Sequence, residues 1–152
     1  MTSAPDLRLP RTHFVGNASP EELDGWAAVA DGVAAALAED VLDRDRANAD
    51  PRREIGLLRD AGLVTLLDPA HLGGGGAHWE TAFLVLRRLA RVDASVAQIL
   101  AYHYLNKSNV SFTAPREQQD VWYRASIEGQ WVWGDSVNPV DPDLELTPAG
   151  EG

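Results

Sequence analysis

Five uncharged hydrogen-bonding side chains recur at helical spacing in the stretch 93–109, DASVAQILAYHYLNKSN. Wound at about 100° per residue, it sets Ser95, Gln98, Tyr102, Asn106 and Asn109 on one narrow stripe. Val96, Ile99 and Val110 flank one edge, Ala101 and Leu105 the other, and only Asp93 and Lys107 are charged. Amides and hydroxyls buried among apolar neighbours cost free energy unless hydrogen-bonded. The pattern therefore predicts a buried wall that meets either a ligand or the polar groups of neighbouring helices. Spacing alone leaves both readings open.

Other chemistry-bearing residues are less organised. Gly73–Gly76 form a glycine run, but it lacks the Lys-Ser/Thr ending of a P-loop and the spacing of a dinucleotide fingerprint. His71 and His78 are seven residues apart, and Glu80 lies only two from His78, which is poor helix-face spacing for metal ligands. They read as loop histidines, and no metal site is expected. Arg87, Arg88 and Arg91 read as a solvated helix face with salt-bridge partners.

The elements that must carry these residues follow from caps and periodicity. Residues 1–19 read as an irregular leader. Ser19-Pro20-Glu21-Glu22 predicts a helix start, with Ser19 as N-cap, Pro20 at the first position and Glu22 closing a capping box. The helix is expected to run on through Val41 and Leu42. Asp50-Pro51 restarts the chain as a short helix with Ile55, Leu57, Leu58 and Ala61 buried, ended by Gly62. Trp79–Val92 predicts an amphipathic helix burying Phe83, Leu86, Leu89 and Ala90. Asp93 then caps the central helix. A last helix from Pro115 to about Ile127 should bury Val121, Trp122 and Ala125. At Gly129 the period changes: GQWVWGDS reads as a strand, and Leu144, Leu146 and Thr147 begin a second before a turn at 148–152. That is an odd place for a finished domain to end. The expected division is a leader over 1–19, a helical domain over 20–128, and the truncated start of a β domain over 129–152.

The 152 residues suffice for one domain with a real core. Thirteen basic against 23 acidic side chains give a net charge of −10, which argues against nucleic acid or an anionic membrane as partner. The absence of cysteine excludes disulfides, thiolate metal sites and a cysteine nucleophile. No apolar run approaches the roughly 18 residues of a membrane span. A soluble, cytoplasmic protein is expected.

Three segments in order, LRDAGLVTLLDPAHLGGGG, RRLARVDASVAQILAYHYLN and GQWVWGDSVNP, resemble the N-terminal part of the acyl-CoA dehydrogenase superfamily. AYHYLN and WVWGDSVNP look most like its flavin-dependent monooxygenase branch, the dibenzothiophene monooxygenase type. The resemblance covers about residues 20–152. It implies a mainly α fold, an N-terminal helical domain followed by the first strands of a β-barrel. It implies reduced FMN, or FAD, supplied by a separate flavin reductase, and reaction with O2 to a flavin C4a-hydroperoxide that oxygenates a small apolar substrate at sulfur, nitrogen or carbon. By position, Trp133, Gly134, Asp135, Ser136 and Asn138 would border the flavin. Tyr102 and His103 would match a catalytic pair lining the pocket, with Asn106 one turn on and Gln98 in the substrate pocket. Assembly as a homo-oligomer would rest on a C-terminal bundle beyond these residues.

Two positions depart from the branch. Gln98 stands where desulfurising members have a histidine, and an amide orients by hydrogen bonds but cannot titrate. Asp135 replaces an asparagine, and an anion there disfavours an anionic reduced flavin. Two alternatives stand beside this reading. One is an FAD-dependent acyl-CoA dehydrogenase catalysing α,β-desaturation, against which the Trp-Gly-Asp-Ser strand speaks. The other is an inactive, truncated helical interaction domain, because a flavin open on one side is not protected from water.

Overall fold

The computed structural model describes residues 17–134; residues 1–16 of the leader expected over 1–19, and the turns and second strand expected beyond Gly134, lie outside them. Six helices appear in order: α1 (Pro20–Ala38), α2 (Val41–Ala47), α3 (Arg52–Asp60), α4 (Trp79–Ala90), α5 (Ala94–Thr113) and α6 (Arg116–Glu128). Short 3-10 turns at Leu63–Thr65 and Ala70–Leu72 bridge α3 and α4. α4 lies between α1 and α5, α6 packs on α5, and α3 with the Leu63–Thr65 turn closes the edge.

The caps account for most boundaries. Ser19 Oγ accepts from the Glu22 amide at 3.1 Å, and Pro20 opens α1. Asp93 Oδ1 accepts from the Val96 amide at 2.9 Å and starts α5. Gly62, at φ 71°, takes the left-handed conformation that follows α3, which a side chain would strain. The core joins Ala30, Val33 and Leu37 of α1 to Val85 and Leu89 of α4 and Val96, Ala97 and Leu100 of α5. Leu58, Leu63, Val64 and Leu66 fill its edge. The small residues of α1 let its backbone approach α4 closely, which extends dispersion contacts along both helices. Among the described residues no helix is long and apolar enough to cross a membrane.

Several local expectations fail, each for a traceable reason. The first helix does not run through Val41 and Leu42; it breaks at Glu39–Asp40. Asp40 leaves helical geometry at φ −139°, and its carboxylate takes Arg44 Nε at 2.9 Å and Arg53 Nη1 at 3.2 Å. Asp50 does not cap α3, because its carboxylate turns to Arg52 Nε at 2.7 Å and Pro51 occupies the cap position. In α3 the buried pair is Glu54 and Leu58, with Ile55, Leu57 and Ala61 only partly covered. Glu54 is buried because Arg44 and Arg53 both reach Oε1 at 3.3 Å.

The faces of α4 and α6 are rotated from the expected ones. α4 buries Thr81, Ala82, Val85 and Leu89, leaving Phe83 and Ala90 exposed. Thr81 can be buried because its hydroxyl donates to Glu22 Oε1. α6 buries Tyr123 and Ser126, while Val121 and Trp122 face outward. Here too a partner decides: Tyr123 Oη and Ser111 Oγ are 2.7 Å apart. Residues 131–134 form no strand, since no neighbouring strand lies within the described residues to pair with them.

Candidate functional site

α5 carries the residues of interest, and both ends of its orientation are fixed by charge. Asp93 not only caps the helix but also accepts from Arg44 Nη2 at 2.9 Å, tying α5 to α2. Two turns from the other end, Lys107 Nζ meets Asp68 Oδ2 at 2.5 Å, both side chains almost fully buried. Burial raises the Asp68 carboxyl and lowers the Lys107 ammonium, and the pairing opposes both shifts. Between these anchors Val96, Leu100, His103, Tyr104 and Lys107 face the core.

The polar stripe therefore faces the other way. Ser95, Gln98, Tyr102 and Asn109 are exposed, Tyr102 by 49%, and Asn106 is half-buried. The expected buried wall is a surface among the described residues. Spacing identified the stripe but misjudged its side, because His103, Tyr104 and Lys107 find buried partners and turn the helix toward them.

The chain returns to this surface after α6. Gln130 adopts φ 48°, its carbonyl accepts from Arg59 Nε at 3.0 Å, and the Trp131 amide donates to the Ser126 carbonyl at 3.0 Å. Trp133 Nε1 then donates to Ser126 Oγ at 2.9 Å. The segment bounds a recess of about 500 Å³ with the stripe, lined by Ser95, Gln98, Ile99, Tyr102, Val132, Trp133 and Gly134. Four site candidates are thus brought together: Gln98, Tyr102, Trp133 and Gly134. Asn106 sits one turn further along and does not line the recess, but its Nδ2 is buried with no acceptor among the described residues. Asp135, Ser136 and Asn138 lie outside the described residues.

His103 is not in the recess wall. Its ring is wholly buried, with Nε2 2.7 Å from the Val64 carbonyl and Nδ1 3.0 Å from the Trp133 amide. The carbonyl can only accept and the amide only donate, so the ring is the neutral tautomer protonated at Nε2. Burial pushes its pKa down to about 4, with the Lys107 charge adding to the effect against the Val64 hydrogen bond. The unfolded chain binds the His103 proton near pH 6.5 and the folded chain does not, so stability falls as pH drops from about 6.5 to about 4. We expect about 2–3 kcal/mol of acid-sensitive stability from this group. Denaturant titrations of wild type and His103→Asn across that window check it; parallel pH curves would refute it.

A second cavity, about 390 Å³, opens on the far side of α5 over the Asp68–Lys107 pair, walled by Trp79, Tyr104, Phe112 and Tyr123. Beside it, Glu22 does not close a capping box. Its Oε1 accepts from the His78 amide at 2.8 Å and from Thr81 Oγ1, and Oε2 lies 2.8 Å from His78 Nδ1. Burial opposes ionisation there, but these donors outweigh it and hold Glu22 below the usual carboxylate range. The glycine run offers no phosphate cradle, because Gly74, Gly75, Gly76 and Ala77 donate their amides to Pro69, Thr65, Asp68 and Leu66 carbonyls. Among the described residues no three His, Asp or Glu side chains gather as metal ligands. His71 makes only an exposed 3.7 Å approach to Asp120, and Arg88 pairs with Asp31 as a solvated face should.

Sequence reasoning missed Arg59, Ser126 and the Asp68–Lys107 pair. The available signal for a buried carboxylate partner was that Lys107 shares a helix face with Leu100, Tyr104 and Val110. Nothing local marked Ser126.

Residues 19–130 match the family model described as acyl-CoA dehydrogenase, N-terminal domain. The chain is 36% identical over 114 residues to a probable FMNH2-dependent monooxygenase SfnC of Pseudomonas putida, covering 75% of this chain and 29% of that protein. It is 29% identical over 157 residues to a dibenzothiophene monooxygenase of Rhodococcus erythropolis, covering 100% of this chain and 36% of that protein. Among solved structures, methanesulfinate monooxygenase MsuC from Pseudomonas fluorescens superposes with TM-score 0.72 at 34% identity, over 76% of this chain and 30% of that one. FMN-bound TdsC from Paenibacillus sp. A11-2 gives TM-score 0.68 at 31% identity, over 71% and 27%. The chain spans about a third of the length of the curated relatives it matches.

Proposed function

The chain belongs to the acyl-CoA dehydrogenase family through its N-terminal domain, and from that premise we propose that it is the front part of a reduced-flavin-dependent monooxygenase. The observation that carries this reading is the recess between α5 and residues 132–134. Its seven lining residues include no charged group, and they pair apolar walls, Ile99 and Val132, with hydrogen-bonding edges, Gln98 and Tyr102. That composition suits a flat ring system with polar rims.

In this reading Trp133 and Gly134 border the flavin ring, with Asp135, Ser136 and Asn138 continuing that edge. Tyr102 donates its hydroxyl hydrogen bond at the reacting face, and Gln98 orients a polar group of the substrate without exchanging a proton. Asn106 supplies a further donor one turn on. Ile99 and Val132 exclude water from an apolar substrate. Reduced FMN, when bound, supplies the electrons with which O2 is activated. The monooxygenase names of the relatives favour reduced FMN over FAD and oxygenation over α,β-desaturation.

The remaining parts of the proposal follow from the same reading. Residues 20–128 are the helical domain and 129–152 the start of the β domain. A flavin reductase supplies the reduced cofactor, the working form is a homo-oligomer, and the compartment is the cytoplasm. Among the described residues the recess is open on one side, and on that ground the 152-residue chain alone should bind flavin weakly and turn nothing over.

The test is the full-length protein supplied with reduced FMN, O2 and a panel of dibenzothiophene, methanesulfinate and indole. Oxygenation of one of them is expected. Tyr102→Phe should lower kcat by roughly ten- to a hundredfold while FMN affinity stays within about threefold. A full-length protein that fails to bind FMN would overturn the reading, as would a Tyr102→Phe variant with wild-type kcat.

A further inference from the structure

Residues 130–134 belong to no helix or strand, yet they are held in place at defined points. Arg59 holds the Gln130 carbonyl, and Ser126 holds the Trp133 indole. The third hold differs in kind, because it comes from the interior. The His103 ring bridges the Trp133 amide and the Val64 carbonyl, groups that lie 30 and 39 residues away from it in sequence.

We infer that His103 is a positioning residue, a neutral imidazole that clamps the Trp133 backbone to the core and thereby sets the wall of the recess. The inference rests on the flavin reading only for what the recess holds. Geometry supports the clamp directly. One ring edge accepts and the other donates, so a single tautomer satisfies both backbone groups, and the ring itself is wholly buried against Val64. A second proton would set an N–H of the ring against the Trp133 N–H and break the bridge. Lys107, one turn along the same buried face, opposes that proton. Tyr104 stays clear of the bridge, with its hydroxyl donating to the Leu63 carbonyl at 2.7 Å. Tyr102 and His103 are neighbours in sequence, so one helix turn presents a phenol to the recess and an imidazole to the irregular segment that forms its opposite wall.

Two amide variants of the full-length protein separate the halves of the clamp. In His103→Asn the amide oxygen falls near the Nδ1 position and can still accept from Trp133. In His103→Gln the amide nitrogen falls near the Nε2 position and can donate to Val64, while the Trp133 amide loses its acceptor. We expect His103→Gln to speed hydrogen exchange at the Trp133 amide about tenfold and to weaken FMN binding about tenfold. His103→Asn should keep both within about threefold, although both variants lose thermal stability. Equal losses in the two variants would overturn the assignment, as would unchanged exchange at Trp133 in His103→Gln. Faster exchange with unaltered FMN affinity would also overturn it, since the clamp would then not set the recess. A wild-type protein that ignores FMN while the exchange difference appears would sink the flavin reading and leave the clamp standing.

Discussion

Lys107→Met should destabilise the folded chain by about 3–5 kcal/mol at neutral pH. The lysine and Asp68 are both almost fully buried, and neither has water to fall back on. Removing the ammonium leaves a carboxylate in a nearly dry site, and the full desolvation cost of that charge is then unopposed. The double variant Asp68→Asn/Lys107→Met removes both charges and should recover most of the loss. In the single variant Asp68 loses the cation that opposed its raised pKa, so it takes a proton more readily in the folded than in the unfolded state. A raised folded pKa gives stability that is present at low pH and lost as pH rises, so the deficit against wild type should shrink as pH falls from 7.5 toward 4.5. Urea titrations of the three proteins at both pH values check this. A deficit under about 1 kcal/mol, or one that grows in acid, would show that the pair is a solvated surface bridge instead.

Gly74→Ala is the second large effect, at about 3 kcal/mol or more. A Cβ at Gly74 would overlap the Cβ and carbonyl oxygen of Asp68, and backbone cannot step aside as a flexible side chain can. Gly75 is nearly as tight, with a Cβ falling 2.6 Å from the Leu66 carbonyl. The glycine run is thus a place of close backbone approach, which stacks residues 74–77 on the carbonyls of 65–69. It also supports the turn whose Val64 carbonyl receives His103, so the loss reaches the recess by way of the clamp. Gly73 provides the contrast. It has φ 96° with open space around a Cβ, and Gly73→Ala should cost only conformational strain, about 1–2 kcal/mol. Gly25, in the exposed middle of α1 with nothing near a Cβ, should gain about 0.5–1 kcal/mol as alanine. Thermal melts that fail to rank Gly74 as the most damaging of the three would refute the packing argument.

Both effects concern residues whose local sequence gives little warning. The run Gly73–Gly76 reads equally as a flexible loop or a ligand cradle until the carbonyls beneath it are seen. Lys107 is one of only two charges in the stretch 93–109, and its partner Asp68 arrives from 39 residues away. The rotated faces of α4 and α6 have the same origin. Thr81, Tyr123 and Ser126 score as outward-facing in any periodicity count, but each is buried because a distant polar atom satisfies its hydroxyl.

What the residues alone determined is what depends on near neighbours. Capping by Ser19 and Asp93, termination at Gly62, helix content, the exclusion of thiol chemistry and the family resemblance all rest on side chains within a few positions of one another. Their spacing also placed Gln98, Tyr102 and Asn106 on one stripe, whatever that stripe faced. Tertiary structure decided which side of α5 is the core, that His103 belongs to the interior while Tyr102 meets the recess, and that Trp133 is held there by the imidazole. The physical reason is that periodicity reports which residues share a face, whereas burial of a polar group depends on whether a partner from elsewhere in the chain meets it. That meeting is fixed by packing over tens of residues, and no local spacing encodes it.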